Sequence, residues 1–196
     1  VYVGTADSNE RINQVGSSKT KECRTYVIKI GNKEVRLLDT PGVGDTEGVE
    51  QDVRNFENIM SHISQYDHLD GICILLQPLQ TRLDAQYRYC IKELLTHLHK
   101  SAVENMVFLF THGRSNFFRP GDAARILRTY LSELSGECGL EVPFNEDNIF
   151  CVDNESFGFL ARIHNEIAVE EDEIGQVRKS WTRSEKEYIR LVEHLT

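Results

Sequence analysis

Gly71-Ile72-Cys73-Ile74-Leu75-Leu76 carries no charge and, after its glycine, only apolar side chains. A run of that length reads as a strand covered on both faces, as strands of parallel sheets are. Asn105 to Phe110 (NMVFLF) repeats the pattern, and Ile149 to Val152 is a shorter version of it. Between these runs the period changes to that of a helix. Glu50 to Gln65 spaces Val53, Phe56, Met60 and Ile63 along one face, and Asp84 to His99 does the same with Tyr87, Cys90, Ile91, Leu94, Leu95 and Leu98. Asp122 to Leu134 (Leu127, Tyr130, Leu131, Leu134) and Ser156 to Ala168 (Leu160, Ile163, Ile167) complete the series. Strands alternating with amphipathic helices predict an α/β fold of three layers, a mostly parallel sheet flanked by helices. Upstream, Cys23 to Ile30 and Glu34 to Leu38 are joined by Gly31-Asn32-Lys33, which predicts a β-hairpin adding one antiparallel edge.

The chain has 196 residues and 22.5 kDa, the size of one domain. At this size folding buries roughly 70% of the unfolded surface, enough for a core without covalent staples. Net charge is −9, from 22 basic and 31 acidic residues, with a sequence pI near 5.3. That acidity excludes a general nucleic-acid or anionic-membrane binder, since both need a basic surface. A hydrophobic content of 40% with 27% charged residues excludes wholesale disorder. Five cysteines (Cys23, Cys73, Cys90, Cys138, Cys151) lack any CxxC spacing and predict free thiols in a reducing, cytoplasmic compartment. Cys73 and Cys151 lie in apolar runs and are expected to be buried. Apolar runs such as Met106 to Phe110 are too short to cross a bilayer, so no membrane segment is expected.

Val1 to Lys21 is polar and aperiodic, as a loop is. The chain begins without a methionine and ends inside a predicted helix, the pattern of a fragment. After the acidic run Glu170 to Glu173, Ile174, Val177, Trp181, Tyr188, Leu191 and Leu195 keep a three-four spacing with Ser184 in one slot. That rhythm fits a terminal helix docked on the domain or the start of a coiled coil. The expected organisation is therefore a domain over 1–168 and a helical extension over 169–196.

In doubly wound sheets ligands bind at the carboxyl ends of the strands, so the loops there are the candidate sites. Leu37 to Thr46 (LLDTPGVGDT) is an apolar strand ending in Asp39, then a Pro-Gly turn and a glycine-bearing loop. A strand-tip aspartate can hold Mg²⁺ through water, and Gly42 lets a backbone N–H approach a terminal phosphate because no Cβ intervenes. A capped turn has a similar sequence. In Ser17-Ser18-Lys19-Thr20 the Thr20 hydroxyl can ligate Mg²⁺ and sense the γ-phosphate, or serve as an ordinary loop residue. At the tips of later strands, Thr111 to Ser115 and Asp153 to Ser156 place polar groups where a purine would lie: His112 to stack and Asn154 to hydrogen-bond. The alternative there is a pair of ordinary strand-to-helix turns with Ser156 as an N-cap.

Asp39-Thr40-Pro41-Gly42, with Ser18-Lys19-Thr20-Lys21 before it and Phe110-Thr111-His112 after it, resembles the septin-like branch of P-loop GTPases. The nearest likeness is to the immunity-associated GTPases of the GIMAP (AIG) type, with chloroplast import-receptor GTPases and septins as cousins. It covers Lys19 to Ala168, and Asp39 to Asp45 looks septin-like in its Gly-x-Gly-Asp ending. The resemblance implies that Thr20 is the switch I threonine on Mg²⁺ and that Asp39 and Gly42 are the switch II pair. It places His112 at the start of the base-recognition motif and Asn154 at the base-contacting asparagine. The implied ligands are GTP or GDP with Mg²⁺, the implied partner a second copy through the G domain or the C-terminal helix. No catalytic residue is assigned.

Three positions depart from that pattern. No GxxxxGK[S/T] occurs, so the loop cradling the α- and β-phosphates and the strand and helix around it are expected to precede Val1, or to have been lost. Ser115 stands where relatives carry the aspartate that pairs with guanine, which weakens the preference over adenine. Val43 stands where Ras-like enzymes place a water-orienting glutamine, which implies slow hydrolysis aided by self-association. The expected function is a guanine-nucleotide switch with slow GTP hydrolysis in the complete protein, nucleotide binding by this chain being weak or nil. The alternative is a non-catalytic pseudo-GTPase that oligomerises. His97 and His99 are two apart on a helix and share no face, Asp67, His68 and Asp70 read as a surface link, and no nucleophile–base pair supports a hydrolase of another kind. Asn116 to Asp122 reads as a turn opening a helix, whose paired Phe117 and Phe118 also suit covering a nucleotide or a partner.

Overall fold

The computed structural model of the chain describes residues 9, 20–42, 48–79, 83 and 85–195. Ser17 to Lys19, Val43 to Thr46 and Asp84 lie outside them. The chain divides into two compact units, Leu69–Leu83 with Leu94–Thr196 in one and Thr5–His68 with Asp84–Glu93 in the other.

The first unit is built on a parallel sheet of β3 (Ile72–Leu76), β4 (Met106–Phe110) and β5 (Ile149–Cys151), in the order β3-β4-β5, after β1 and β2 described below. Every residue of β4 is buried, because β4 is central and is paired on both sides. Alternation along the strand sends its side chains to opposite faces. On one face Val107 and Leu109 join Phe150 and Val152, and Tyr188, Leu191 and Leu195 pack against them. On the other, Phe108 meets Phe144 edge-on at 4.9 Å, and the Arg128 guanidinium lies 5.4 Å above the Phe144 ring. Each fully buried side chain of this size contributes about 1.5–3 kcal/mol.

Arg128 belongs to α3 (Gly121–Cys138), which buries Ala123, Leu127, Tyr130, Leu131 and Leu134 along one stripe. Tyr188, Leu191 and Leu195 come from α5 (Glu171–His194) and its C-cap. The sheet is thus parallel and flanked by helices on both faces, an α/β unit of the expected class. Between α3 and α5, α4 (Glu155–His164) packs on α5. In the second unit β1 (Arg24–Ile30) and β2 (Lys33–Asp39) form an antiparallel hairpin from Arg24↔Asp39 to Ile30↔Lys33. It is followed by α1 (Val49–Ile63). The helix α2 (Ala85–His97) buries Cys90, Ile91 and Leu95.

Several sequence expectations need correction. The hairpin does not add an antiparallel edge: β1 and β2 pair with each other, and among the described residues no ladder joins them to β3. Lys33 opens β2 instead of lying in the turn. β3 is not covered on both faces. Among the described residues it pairs with β4 alone, and Cys73 and Leu75 are exposed while Leu76 is buried. Cys151 is buried as expected. α3 runs four residues past Leu134, to Cys138, and stops where Gly139 takes a left-handed φ of 66° that only glycine adopts without strain. α4 ends at His164, four residues before Ala168. There the Asn165 amide turns back to the Ala161 carbonyl at 2.8 Å, and Glu166 adopts a φ of 58°. The C-terminal rhythm is that of a single helix docked on the sheet through Val177, Ser184, Tyr188, Leu191 and Leu195, with Ile174 and Trp181 left exposed.

Candidate functional site

Two groups of candidate residues fall in separate units, and each has its own geometry. At the end of β2, the Thr20 hydroxyl donates to Asp39 Oδ2 at 3.4 Å, so residues nineteen apart in sequence meet at the strand tip. Both are half-buried. Three residues on, the Gly42 carbonyl accepts from the buried Asn55 amide of α1 at 3.2 Å, and Asn55 accepts from Gln51 at 2.8 Å. That pins the backbone leaving β2 to the helix. Asn55 was not among the sequence candidates; a polar residue beside Phe56, on the face that α1 buries, was the available signal. The Cys23 thiol next to this group is pushed up to about 11, by burial first and by the Asp39 charge second.

The second group occupies the carboxyl ends of β4 and β5. Thr111 donates its backbone N–H and its hydroxyl to the Leu76 carbonyl, at 2.8 and 3.2 Å, which closes the tip of β4 onto β3. His112 follows with a φ of 54° and is exposed. The Gly113 N–H then donates to the Val152 carbonyl at 2.9 Å. A Cβ at Gly113 would sit 3.0 Å from that oxygen and 3.2 Å from the Phe118 ring, so glycine is what allows the two tips to approach. Arg114 N–H donates to Asp153 Oδ2 at 3.0 Å, and Glu155 N–H to Asp153 Oδ1 at 2.8 Å. The buried Asp153 carboxylate therefore ties both loops together. Ser156, the N-cap of the alternative reading, instead lies inside α4 with its hydroxyl on the Val177 carbonyl at 3.4 Å, and the cap position is Asn154.

Four side chains of α5 hold this cluster. Gln176 and Glu155 both accept from the Arg114 guanidinium. The Arg183 guanidinium lies 4.5 Å above the Phe118 ring. The buried Ser184 hydroxyl accepts from Asp153 N–H at 2.9 Å and donates to its carbonyl at 3.1 Å. The Tyr188 hydroxyl donates to Asn154 Oδ1 at 2.7 Å. Burial pushes the Tyr188 phenol above its ordinary value. Of the sequence candidates, then, the structure brings Thr20 to Asp39, with Gly42 close in the chain. It sets His112 and Asn154 on two loops that hydrogen bonds tie together. Sequence reasoning missed Asp153, Arg114, Gln176, Ser184 and Tyr188 as the frame of those loops. Ser184, a polar residue in an apolar stripe, was the clue.

Among the described residues no three His, Cys, Asp or Glu side chains converge on a metal position. Mg²⁺ does not require such a cage, since it usually keeps several waters and takes one or two protein oxygens. The adjacent Thr20 hydroxyl and Asp39 carboxylate are hard oxygen donors of that kind. Among the described residues no helix is long and apolar enough to cross a membrane.

No protein-family model matches the sequence, and no curated protein matches it. Among solved structures, one similar to the chain is Toc33 from Arabidopsis thaliana, in a dimerisation-deficient mutant, with 12% identity and a TM-score of 0.49. The match covers 68% of this chain and 56% of that one, so it spans little more than half of Toc33. A likeness at that level identifies no family and assigns no residue.

Proposed function

We propose that the chain is a guanine-nucleotide-binding switch domain of the P-loop GTPase type, nearest in sequence to the septin-like, immunity-associated branch. The observation that carries this reading is the Thr20–Asp39 hydrogen bond. A threonine from a polar loop and an aspartate from a strand tip are the two oxygens such a switch needs beside a terminal phosphate. Thr20 and Asp39 would hold Mg²⁺, which supplies positive charge against the phosphates when bound. Gly42 would offer its backbone to the terminal phosphate, and His112 and Asn154 would meet the base. Residues 1–168 would form the nucleotide domain and 169–196 its helical extension, working in the cytoplasm. Exposed Ile174, Trp181 and Ile189 on α5 support self-association of copies. Hydrolysis, where the complete protein carries it out, would be slow, since Val43 cannot orient water.

The sequence holds no GxxxxGK[S/T], so binding by this chain is weak. Titration of GTP with Mg²⁺ into the ¹⁵N-labelled chain is expected to shift resonances around Thr20, Asp39 and Asn154 at millimolar concentrations, with a nearly unchanged melting temperature. Asp39→Asn is expected to remove the Mg²⁺ dependence of those shifts. A titration that moves no resonance rejects this reading and favours the non-catalytic oligomerisation module.

A further inference from the structure

We propose that an exposed stripe of α5 pairs with the same stripe of a second copy, antiparallel, about a two-fold axis beside Trp181. This rests on the self-association in the reading above, names its partner and its geometry, and needs no nucleotide.

The three-four rhythm of α5 carries more apolar side chains than the sheet uses. Val177, Tyr188, Leu191 and Leu195 are turned inward, whereas Ile174, Trp181 and Ile189 are exposed, Trp181 to 51%. Exposed Arg178 and Glu185 fill the turns between them. At 3.6 residues per turn, Ile174, Arg178, Trp181, Glu185 and Ile189 fall within roughly a quarter of the helix circumference. Exposed apolar residues scattered singly are ordinary on a surface, but these form one line. Neither the Arg178 nor the Glu185 side chain has an ion-pair partner among the described residues.

The order within the line says what covers it. Read from either end it runs isoleucine, charge, tryptophan, charge, isoleucine, and the two charges are opposite in sign. A two-fold axis crossing α5 between positions 181 and 182 sets Ile174 against Ile189 of the second copy. It sets Arg178 against the second copy's Glu185, and it brings the two Trp181 rings together at the axis. Symmetry makes each off-axis contact occur twice. A parallel pair would instead put Arg178 on Arg178 and Glu185 on Glu185, and like charges face to face oppose association. The charges therefore select a second copy running the other way. An isologous contact of this kind closes at two copies and does not grow into a filament. It is a single helix pair, smaller than the interface of a stable complex, so the dimer forms at high concentration.

Trp181 is the chain's one tryptophan, so its fluorescence reports the contact directly. Sedimentation and tryptophan emission of the full chain would be followed from about 10 µM to about 1 mM, a range suited to so small an interface. Wild type is expected to pass from monomer to dimer with a blue-shifted emission. Arg178→Glu and Glu185→Arg each reverse two contacts at once, and each is expected to weaken association about tenfold. The double variant Arg178→Glu/Glu185→Arg restores both contacts and regains wild-type association, as does an equimolar mixture of the two single variants. Trp181→Ala removes association and leaves the docked face of α5 untouched. A dimer that ignores the charge reversals, or a double variant no better than the singles, overturns the pairing and leaves self-association to another surface. A chain that stays monomeric throughout overturns the pairing and the self-association together, while the nucleotide titration tests the rest of that reading separately.

Discussion

The two groups of candidate residues are built to different standards. At the tips of β4 and β5, each loop is tied to the other through Asp153, and four side chains of α5 hold the pair from outside. At the tip of β2, Thr20 reaches Asp39 through one bond of 3.4 Å, at the long limit for a hydroxyl donor. The hairpin beneath it is a two-stranded sheet that leaves Val27, Ile28 and Leu37 exposed, and the Thr25 and Tyr66 hydroxyls, 2.6 Å apart, link it to the segment after α1. A pair of strands alone is marginal in water, whereas a packed three-stranded unit is not. The loops at the tips of β4 and β5 are thus braced from several sides, whereas the hydrogen bond that joins Thr20 to Asp39 is long.

That contrast can be broken by substitution. Ser184→Ala leaves the buried N–H and carbonyl of Asp153 without their partner and is expected to destabilise the protein by about 1–3 kcal/mol in urea unfolding. A smaller loss would mean that α5 does not hold the tips. Next comes a pH effect. Burial, then the Glu187 charge, pushes the Cys151 thiol from 9.0 to about 11. A raised acid pKa favours the neutral thiol in the folded state, so its stabilisation is complete below pH 9 and is lost as pH rises toward 11. About 1 kcal/mol is expected to go by pH 10, and Cys151→Ala should flatten that stretch of the stability–pH curve. The smallest effect belongs to Thr20→Val, expected below about 1 kcal/mol because the bond it removes is long and half-buried. A Thr20→Val loss as large as that of Ser184→Ala would erase the difference between the two regions.

Much of the fold was legible because it is local. The apolar runs of β4 and β5 and the helical spacing of α1, α2 and α3 state their own structure, and the Gly31-Asn32 turn announces the hairpin. What the sequence could not declare is long-range. An apolar run does not say whether it lies at the centre or the edge of a sheet, so Cys73 and Leu75 read as buried. Nothing local distinguishes a hairpin that joins a sheet from one that pairs only with itself. The Thr20–Asp39 meeting was legible as a motif, but the frame around Asn154 was not, since Arg114 and Gln176 are 62 residues apart. Ser156 offered itself as a cap on composition, but the cap position is Asn154, and the Asp153 carboxylate takes the first N–H of α4.

Phe117 and Phe118 carry φ angles of 55° and 56°, a backbone that bulky residues occupy against a penalty of about 1–2 kcal/mol each. Phe118 is anchored beneath Arg183, but Phe117 is 77% exposed and buries almost nothing in return. Glycine would occupy the same backbone without that penalty. Folding alone therefore gives no reason for an aromatic ring at 117. Replacing Phe117 by glycine would therefore relieve that backbone penalty at almost no cost in buried surface.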